Sequence, residues 1–267
     1  MVLDASGGKS GLTALWQYRE LLYFLTWRDI AVRYKQAVLG VAWAILQPVL
    51  TMVVFTVVFG QLAKLPSDGV PYPLFSFAAL LPWQLFAGAL QRAGGSVVAS
   101  ANLVTKVYFP RLLIPVSAVL AGVVDFAVSL VVLAGMMAWY GVPLTWRMLA
   151  LVPLVVLAIV TALAVGTWFA ALNVEYRDVG YIIPFLVQIW MYASPVVYSA
   201  NMVPTGIWRV VYGLNPMAGV IQGFRWALLG TAPPGDLMWV SVVVVGALLA
   251  SGVAYFRRVE RNFADVI

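Results

Sequence analysis

The sequence predicts an all-α membrane protein with six transmembrane helices, and three observations carry that prediction. First, 63% of the 267 residues are hydrophobic and only 10% are charged. Soluble domains run at about 45–50% and about 25%, and mean hydropathy here is +0.96. Water cannot solvate a folded surface built from so few charges, so a soluble enzyme is excluded. Second, the apolar residues form continuous runs of the length a helix needs to cross a bilayer, about 20 residues. A barrel would instead show alternating segments of roughly ten residues. Third, Lys and Arg gather beside alternate ends of those runs, as the positive-inside rule requires.

The first element lies at residues 12–35, LTALWQYRELLYFLTWRDIAVRYK. At 100° per residue, Leu12, Trp16, Tyr23, Trp27, Ile30 and Tyr34 share a stripe, with Leu21 and Leu25 opposite. This predicts an N-terminal interfacial amphipathic helix, its rings at headgroup depth and Arg28, Arg33 and Lys35 reaching water or lipid phosphate. A surface helix in water is the other reading. Six spans follow, at about 38–61, 74–98, 112–140, 147–172, 179–199 and 236–256. Lipid offers no partner to free backbone groups, so each run is read as a helix. Pro82 interrupts the second span, Pro184 and Pro195 the fifth, and Arg257 and Arg258 stop the sixth. Between the last two spans, VPTGIWRVVYGL and MAGVIQGFRWALLG are each too short to cross. They predict an external re-entrant helix pair over 201–233, turning at Asn215-Pro216. A seventh span would put Asn215, Gln222 and Arg225 near lipid. The whole chain, 1–267, reads as a single transmembrane domain.

Of the 16 Lys and Arg residues, only Lys64, Arg147, Arg209 and Arg225 fall on the external side if the N-terminus is inside. Both termini are therefore expected in the cytoplasm. The net charge of +6 is too dispersed to suggest nucleic acid.

Chemistry is narrowly bounded. The chain has no Cys and no His, which removes thiol nucleophiles, imidazole bases and most zinc sites. Gly8-Lys9-Ser10 looks like the end of a phosphate-binding loop, but the glycine that motif needs five residues before Gly8 is Leu3. Asp125, inside the third span, is the clear intramembrane charge. It serves either as a helix–helix hydrogen bond or packing residue or as a substrate contact, and it lacks the second acid or base that hydrolysis needs. No catalytic residues and no metal site are predicted.

Two further patterns stand out. The tract 99–116, ASANLVTKVYFPRLLIPV, carries Lys106, Tyr108, Phe109 and Arg111 between spans two and three. It is either a short surface helix ended by Phe109-Pro110, offering aromatics and cations to a partner, or an ordinary loop. In the fifth span Tyr181, Phe185, Gln188, Tyr192 and Pro195 share one helical stripe, and in the first Trp43, Gln47 and Thr51 share another. Amides facing lipid are costly, so these faces point to other helices or to a wet pathway.

Taken in order, these residues resemble the membrane subunit of a type-two ABC exporter, in the branch that exports O-antigen, capsule or teichoic acid. The resemblance runs from Arg33-Tyr34-Lys35-Gln36 through LGVAWAILQPVL and NLVTKVYFPRLLIPV. It continues at Asn173-Val174-Glu175-Tyr176-Arg177-Asp178, SPVVYS and Leu214-Asn215-Pro216-Met217. It implies a homodimer in the bacterial inner membrane, with two separate ATP-binding subunits on the cytoplasmic face. ATP and Mg would sit on those partners, leaving this chain without a cofactor and not an enzyme. It implies a cytoplasmic coupling helix after span two, with Asn102, Lys106, Tyr108, Phe109 and Arg111 as the coupling set. Spans one and five would line the channel through Trp43, Gln47, Thr51, Tyr181, Phe185, Gln188 and Tyr192. Glu175, Arg177 and Asp178 would form a cytoplasmic gate loop. The implied substrate is a lipid-linked glycan whose pyrophosphate Arg28, Arg33 and Lys35 would attract at the membrane lipid surface. An exporter of drugs or another lipid shares the fold. An intramembrane glycosyl- or acyltransferase is a different class, and the acid, base and metal set it needs is missing.

Overall fold

The computed structural model describes residues 16–35, 40–203 and 206–263; the Gly8-Lys9-Ser10 expectation, Leu12 and the 36–39 link lie outside them. Five helical stretches among the described residues are long and apolar enough to cross a bilayer: Ala42–Leu62, Tyr72–Ala99, Leu113–Trp139, Trp146–Glu175 and Asp236–Val259. They fall on the expected first, second, third, fourth and sixth spans.

The chain opens with α1 (Arg19–Lys35) and α2 (Gly40–Phe55), which runs on as a π-helical stretch over Thr56–Leu62. Next come α3 (Tyr72–Ala99), the short α4 (Ala101–Lys106), α5 (Leu113–Leu120) and α6 (Gly122–Trp139). Then follow α7 (Leu151–Glu175), α8 (Val179–Ala193), α9 (Ile207–Gly213), α10 (Pro216–Leu229) and α11 (Asp236–Val259).

The expected fifth span, 179–199, is a continuous helix over only part of its length. Its helix α8 has 15 residues and stops at Ala193, a rise of about 22 Å against a hydrocarbon core of about 30 Å. The cause is local: Pro195 has no N–H and its ring pushes the preceding residue out of the helical region. Ser194 accordingly sits at φ −104°, ψ 153°. Pro195 therefore leaves the stripe on which the sequence had placed it.

Helix α3 is the hub. It packs on α7, α5, α6, α10, α2 and α8, so protein rather than lipid surrounds it, and Phe75, Phe77 and Phe86 are fully buried along it. A smaller second core joins one end of the bundle. There Leu25 of α1 meets Val97, Val104, Phe109, Leu113, Phe256 and Phe263. This explains the imperfect amphipathicity of α1. Leu25, only 2% exposed, is its inward residue, while Trp16, Tyr23 and Trp27 on the opposite stripe are exposed. The same core places α1, the 101–113 tract and the end of α11 at one end of the molecule.

The expected pair over 201–233 is two helices of 7 and 14 residues. Asn215 caps α10 by accepting from the Met217 N–H at 3.1 Å, and Pro216 occupies the first turn, where its missing donor costs nothing. Gly230 ends α10 at φ 71°, a left-handed position that favours glycine.

Candidate functional site

A cleft of about 780 Å³ opens between α1, α2, α3 and α6. Trp43, Gln47 and Thr51 line it from α2, Gln84 and Gln91 face them from α3, and Met191 of α8 closes one side. The Thr51 hydroxyl donates to the Gln47 carbonyl at 2.8 Å, so its donor is satisfied within its own helix. The first-span face expected from the sequence is thus a cleft wall. The fifth-span face lies elsewhere. Ile183 and Val187 bury one edge of α8, and Tyr181 (85% exposed), Phe185, Gln188 and Tyr192 present the opposite side outward. Within this chain the two expected walls are separate surfaces.

At the α1 end of the cleft is a charged cluster that sequence reasoning did not assemble. Arg33 and the Tyr34 hydroxyl both donate to the Asp125 carboxylate. The Arg92 guanidinium stands 4.0 Å from the same carboxylate and donates through Nε to the Ala118 carbonyl at 3.1 Å. Asp125 therefore ties α6 to α1. Of the three cations expected to meet a lipid phosphate, Arg33 is engaged here and Arg28 pairs with Asp29 at 2.8 Å; Lys35 is exposed. Arg92 carried a legible signal, a charge near the end of an apolar run, but its partners come from helices far away in sequence.

At the opposite end of the bundle a second polar centre holds irregular backbone. Residues 194–199 are not helical, so in lipid their carbonyls need side-chain partners. Arg225, 3% exposed, donates to the Val196 carbonyl at 2.8 Å and to the Tyr198 carbonyl at 3.0 Å. It also donates to the Phe75 carbonyl at 3.3 Å and lies over the Phe75 ring, 3.5 Å from its centroid. The Tyr72 hydroxyl takes the carbonyl between them, Val197, at 2.6 Å. Asn215 donates to Ser194 Oγ at 2.9 Å and accepts from Trp190 Nε1 at 2.9 Å. The segment is also tied through Ser199, which donates to Asp68 at 2.8 Å.

The 99–116 tract does contain a short helix, α4. It does not offer two exposed aromatics. Tyr108 is 75% exposed, but Phe109 is 6% exposed and part of the second core. Val107 is extended, so successive side chains there point to opposite sides. Arg111 turns inward too: it donates to the Glu260 carbonyl and sits 5.8 Å from the Phe263 ring centroid. Burial pushes the Glu260 carboxyl above its usual range, and Arg111, Arg257 and Arg261 pull it back. Asn102 and Lys106 are exposed. Glu175, Arg177 and Asp178 are exposed where α7 turns into α8, and Glu175 accepts from the Tyr255 hydroxyl at 2.7 Å. One prediction follows from the 108–109 contrast. In thermal unfolding of the purified protein, Phe109→Ala should cost about 3–5 kcal/mol, the loss of a buried ring. Tyr108→Ala should stay within about 0.5 kcal/mol, as exposed positions do. Equal melting temperatures for the two variants would refute the opposed orientation.

The family model described as ABC-2 type transporter matches residues 20–229. The chain is 31% identical over 260 residues to the O-antigen export system permease protein RfbA of Myxococcus xanthus, covering 95% of this chain and 97% of that protein. To the protein of the same name from Klebsiella pneumoniae it is 26% identical over 250 residues, 93% of this chain and 95% of that one. To the polysialic acid transport protein KpsM of Escherichia coli it is 24% identical over 216 residues, 76% of this chain and 78% of that one. The family match begins in α1 and ends with α10, taking in the elements that build the cleft, the charged cluster and the Arg225 centre, and the chain accordingly belongs to the ABC-2 type transporter family.

Proposed function

We propose that this chain is the membrane subunit of an ATP-driven exporter that moves a lipid-linked, O-antigen-like polysaccharide out of the cytoplasm across a bacterial inner membrane. The end-to-end likeness to permeases named for O-antigen export carries this reading, because the fold alone would serve a drug or lipid exporter equally well. In this reading the chain works as a homodimer beside two ATP-binding subunits, with both termini cytoplasmic and 201–233 as an external re-entrant pair. The partners press on the end of the bundle that carries α1, α4 and Tyr108. Asn102, Lys106 and Tyr108 form the docking surface, while Phe109 and Arg111 transmit the push through the second core they are packed into. The Glu175–Asp178 turn then moves with the base of α8. ATP need only favour one arrangement of the helices over the other.

The outward face of α8 supports a polymer path. A sugar ring has an apolar C–H face and a polar rim. Rings spaced along a helix, with one amide among them, hold such a chain loosely enough to slide. In the dimer the α8 faces of two protomers and the α2 cleft walls with Trp43, Gln47 and Thr51 would enclose it. Arg28, Arg33 and Lys35 would draw the pyrophosphate head to the entrance.

The test is genetic and chemical together. Deleting the gene should remove surface polysaccharide and leave glycan inside on its carrier lipid, and the wild-type chain should restore export. Intact surface glycan with altered drug sensitivity would instead mark a drug exporter. Against that background Tyr181→Ala with Tyr192→Ala should reduce surface glycan several-fold at equal protein yield, and Phe185→Tyr, which keeps the ring, should be tolerated. Ile189→Ala, also exposed on α8 but off the stripe, should be mild, since neither change opens a core cavity. Equal export losses on and off the stripe would remove the channel role.

A further inference from the structure

We propose that the notch between α7, α10 and α11 holds one acyl chain of a phospholipid whose anionic headgroup rests on Arg147. The notch follows from the way these helices diverge. Where α11 crosses α7 the two touch: a Cβ on Gly252 would come within 2.7 Å of the Ala164 carbonyl oxygen. Back along α11 by about 9 Å, a Cβ on Gly246 would meet nothing within 4 Å. Further on, α10 stands between the two helices and wedges them apart, since a Cβ on Gly223 would press on both Leu154 of α7 and Met238 of α11. The space between crossing and wedge is about 670 Å³. Its walls carry no charged side chain, so sugar hydroxyls and ordered water find few partners there. Gly246 lines it. A glycine inside a helix is destabilising against alanine, and no close approach within the chain explains this one. What its missing side chain does is keep the notch open.

Depth and taper favour a lipid chain over a helix of another protein. Along α7 the notch runs from Ala150 to Val160, about 15 Å, or half of a hydrocarbon core of about 30 Å. That is the depth of one leaflet. It narrows towards the crossing at Gly252, and a helix of about 10–12 Å diameter cannot follow that taper. The mouth lies at headgroup depth: Trp146 and Trp239 beside it are 76% and 73% exposed, as interfacial tryptophans are. Arg147 belongs to the tight helical turn Trp146–Ala150, three residues before the lining Ala150 and so on the same side of that turn. Its Nη1 lies 3.4 Å from where a Cβ on Gly230 would stand, and Gly230 falls between the lining residues Trp226 and Pro233. Among the described residues Arg147 makes no ion pair, with the nearby Asp236 or with any other acid. A partly buried guanidinium at the lip of an apolar notch matches a lipid phosphate in charge and in bidentate geometry. This site does not depend on what the chain exports.

The test is lipid mass spectrometry on the purified full chain, equilibrated with vesicles of equal parts phosphatidylglycerol and phosphatidylethanolamine and then washed in mild detergent. The parent protein should retain phosphatidylglycerol over phosphatidylethanolamine by about five-fold, the weight of one cation at a lipid surface. Gly246→Leu fills the notch from a position where an added Cβ meets no protein, so it should lower tightly retained lipid of both kinds several-fold. Val243→Leu, exposed on the same helix outside the notch, should not. Arg147→Gln should keep a lipid in place and bring the two headgroups level. Val156→Phe fills the notch from α7 and decides the matter should Gly246→Leu fail to fold. Unchanged retention in the filling variants would overturn the site, and a headgroup preference that survives Arg147→Gln would overturn the role of Arg147. Filling variants that lower the oligomer mass while lipid retention holds would put a second copy of the chain against the notch, and the lipid proposal would fall.

Discussion

Replacing Arg225 with methionine should be the most damaging single change at the end of the bundle that holds residues 194–199. The side chain keeps three carbonyls, those of Phe75, Val196 and Tyr198, supplied with donors, and two of them belong to non-helical backbone. Each buried acceptor left without a donor costs about 1–3 kcal/mol. Methionine fills similar space and removes the burden of holding a charge away from water, so the net loss should be roughly 3–5 kcal/mol. At about 2–4 °C per kcal/mol for a chain of this size, the melting temperature should fall by roughly 10 °C. The loss should be local before it is global, with proteolysis reaching 194–203 first. Arg225→Lys keeps a charge and three donors but lacks the planar fork, so it should fall between the two. A melting temperature for Arg225→Met within a degree or two of the parent would show that those carbonyls find other partners.

The second large effect is expected at Gly252, where α11 crosses α7. A Cβ there would stand 2.6 Å from the Thr167 hydroxyl oxygen and 2.7 Å from the Ala164 carbonyl oxygen. The carbonyl belongs to the backbone of α7 and cannot step aside as a flexible side chain would. Between helices in lipid, close contact of small residues replaces the hydrophobic drive that water would supply. Gly252→Ala should therefore force the helices apart at about 1–3 kcal/mol, and Gly252→Leu should abolish the monodisperse folded protein. Gly246 lies on the same helix with nothing within 4 Å of an added Cβ. Gly246→Ala should hold or raise the melting temperature, since alanine is favoured over glycine in a helix by about 1 kcal/mol. Similar losses at 246 and 252 would mean that helix flexibility, not helix contact, sets the outcome.

Read as a sequence alone, the chain determines that it is helical, membrane-sized and without Cys or His. It also determines where five long helices run. Those properties are local or additive: apolar run length, the missing Cys and His, and proline positions act along the chain whatever it packs against. The Asn215-Pro216 turn was legible for the same reason, because a cap needs only its own neighbours. The end of α8 could have been read locally too, since a residue before proline is kept extended, but continuous hydrophobicity through SPVVYS outweighed that signal.

What the tertiary structure alone decided is which side of each helix faces what. Helical period places Tyr181, Phe185 and Gln188 on one stripe, but only packing shows that Ile183 and Val187 face inward and the stripe faces out. Tyr108 and Phe109 are alike in sequence and opposite in burial, because a core reaching from Leu25 to Phe263 claims one of them. The charges show the same limit. In sequence Arg33 reads as a cation for water or lipid phosphate, Arg92 as a charge near the end of an apolar run, Asp125 as an intramembrane acid and Arg225 as an external cation. Their partners lie tens to more than a hundred residues away. A buried charge takes its meaning from whatever the fold sets within hydrogen-bond reach of it, and that distance is not written along the chain.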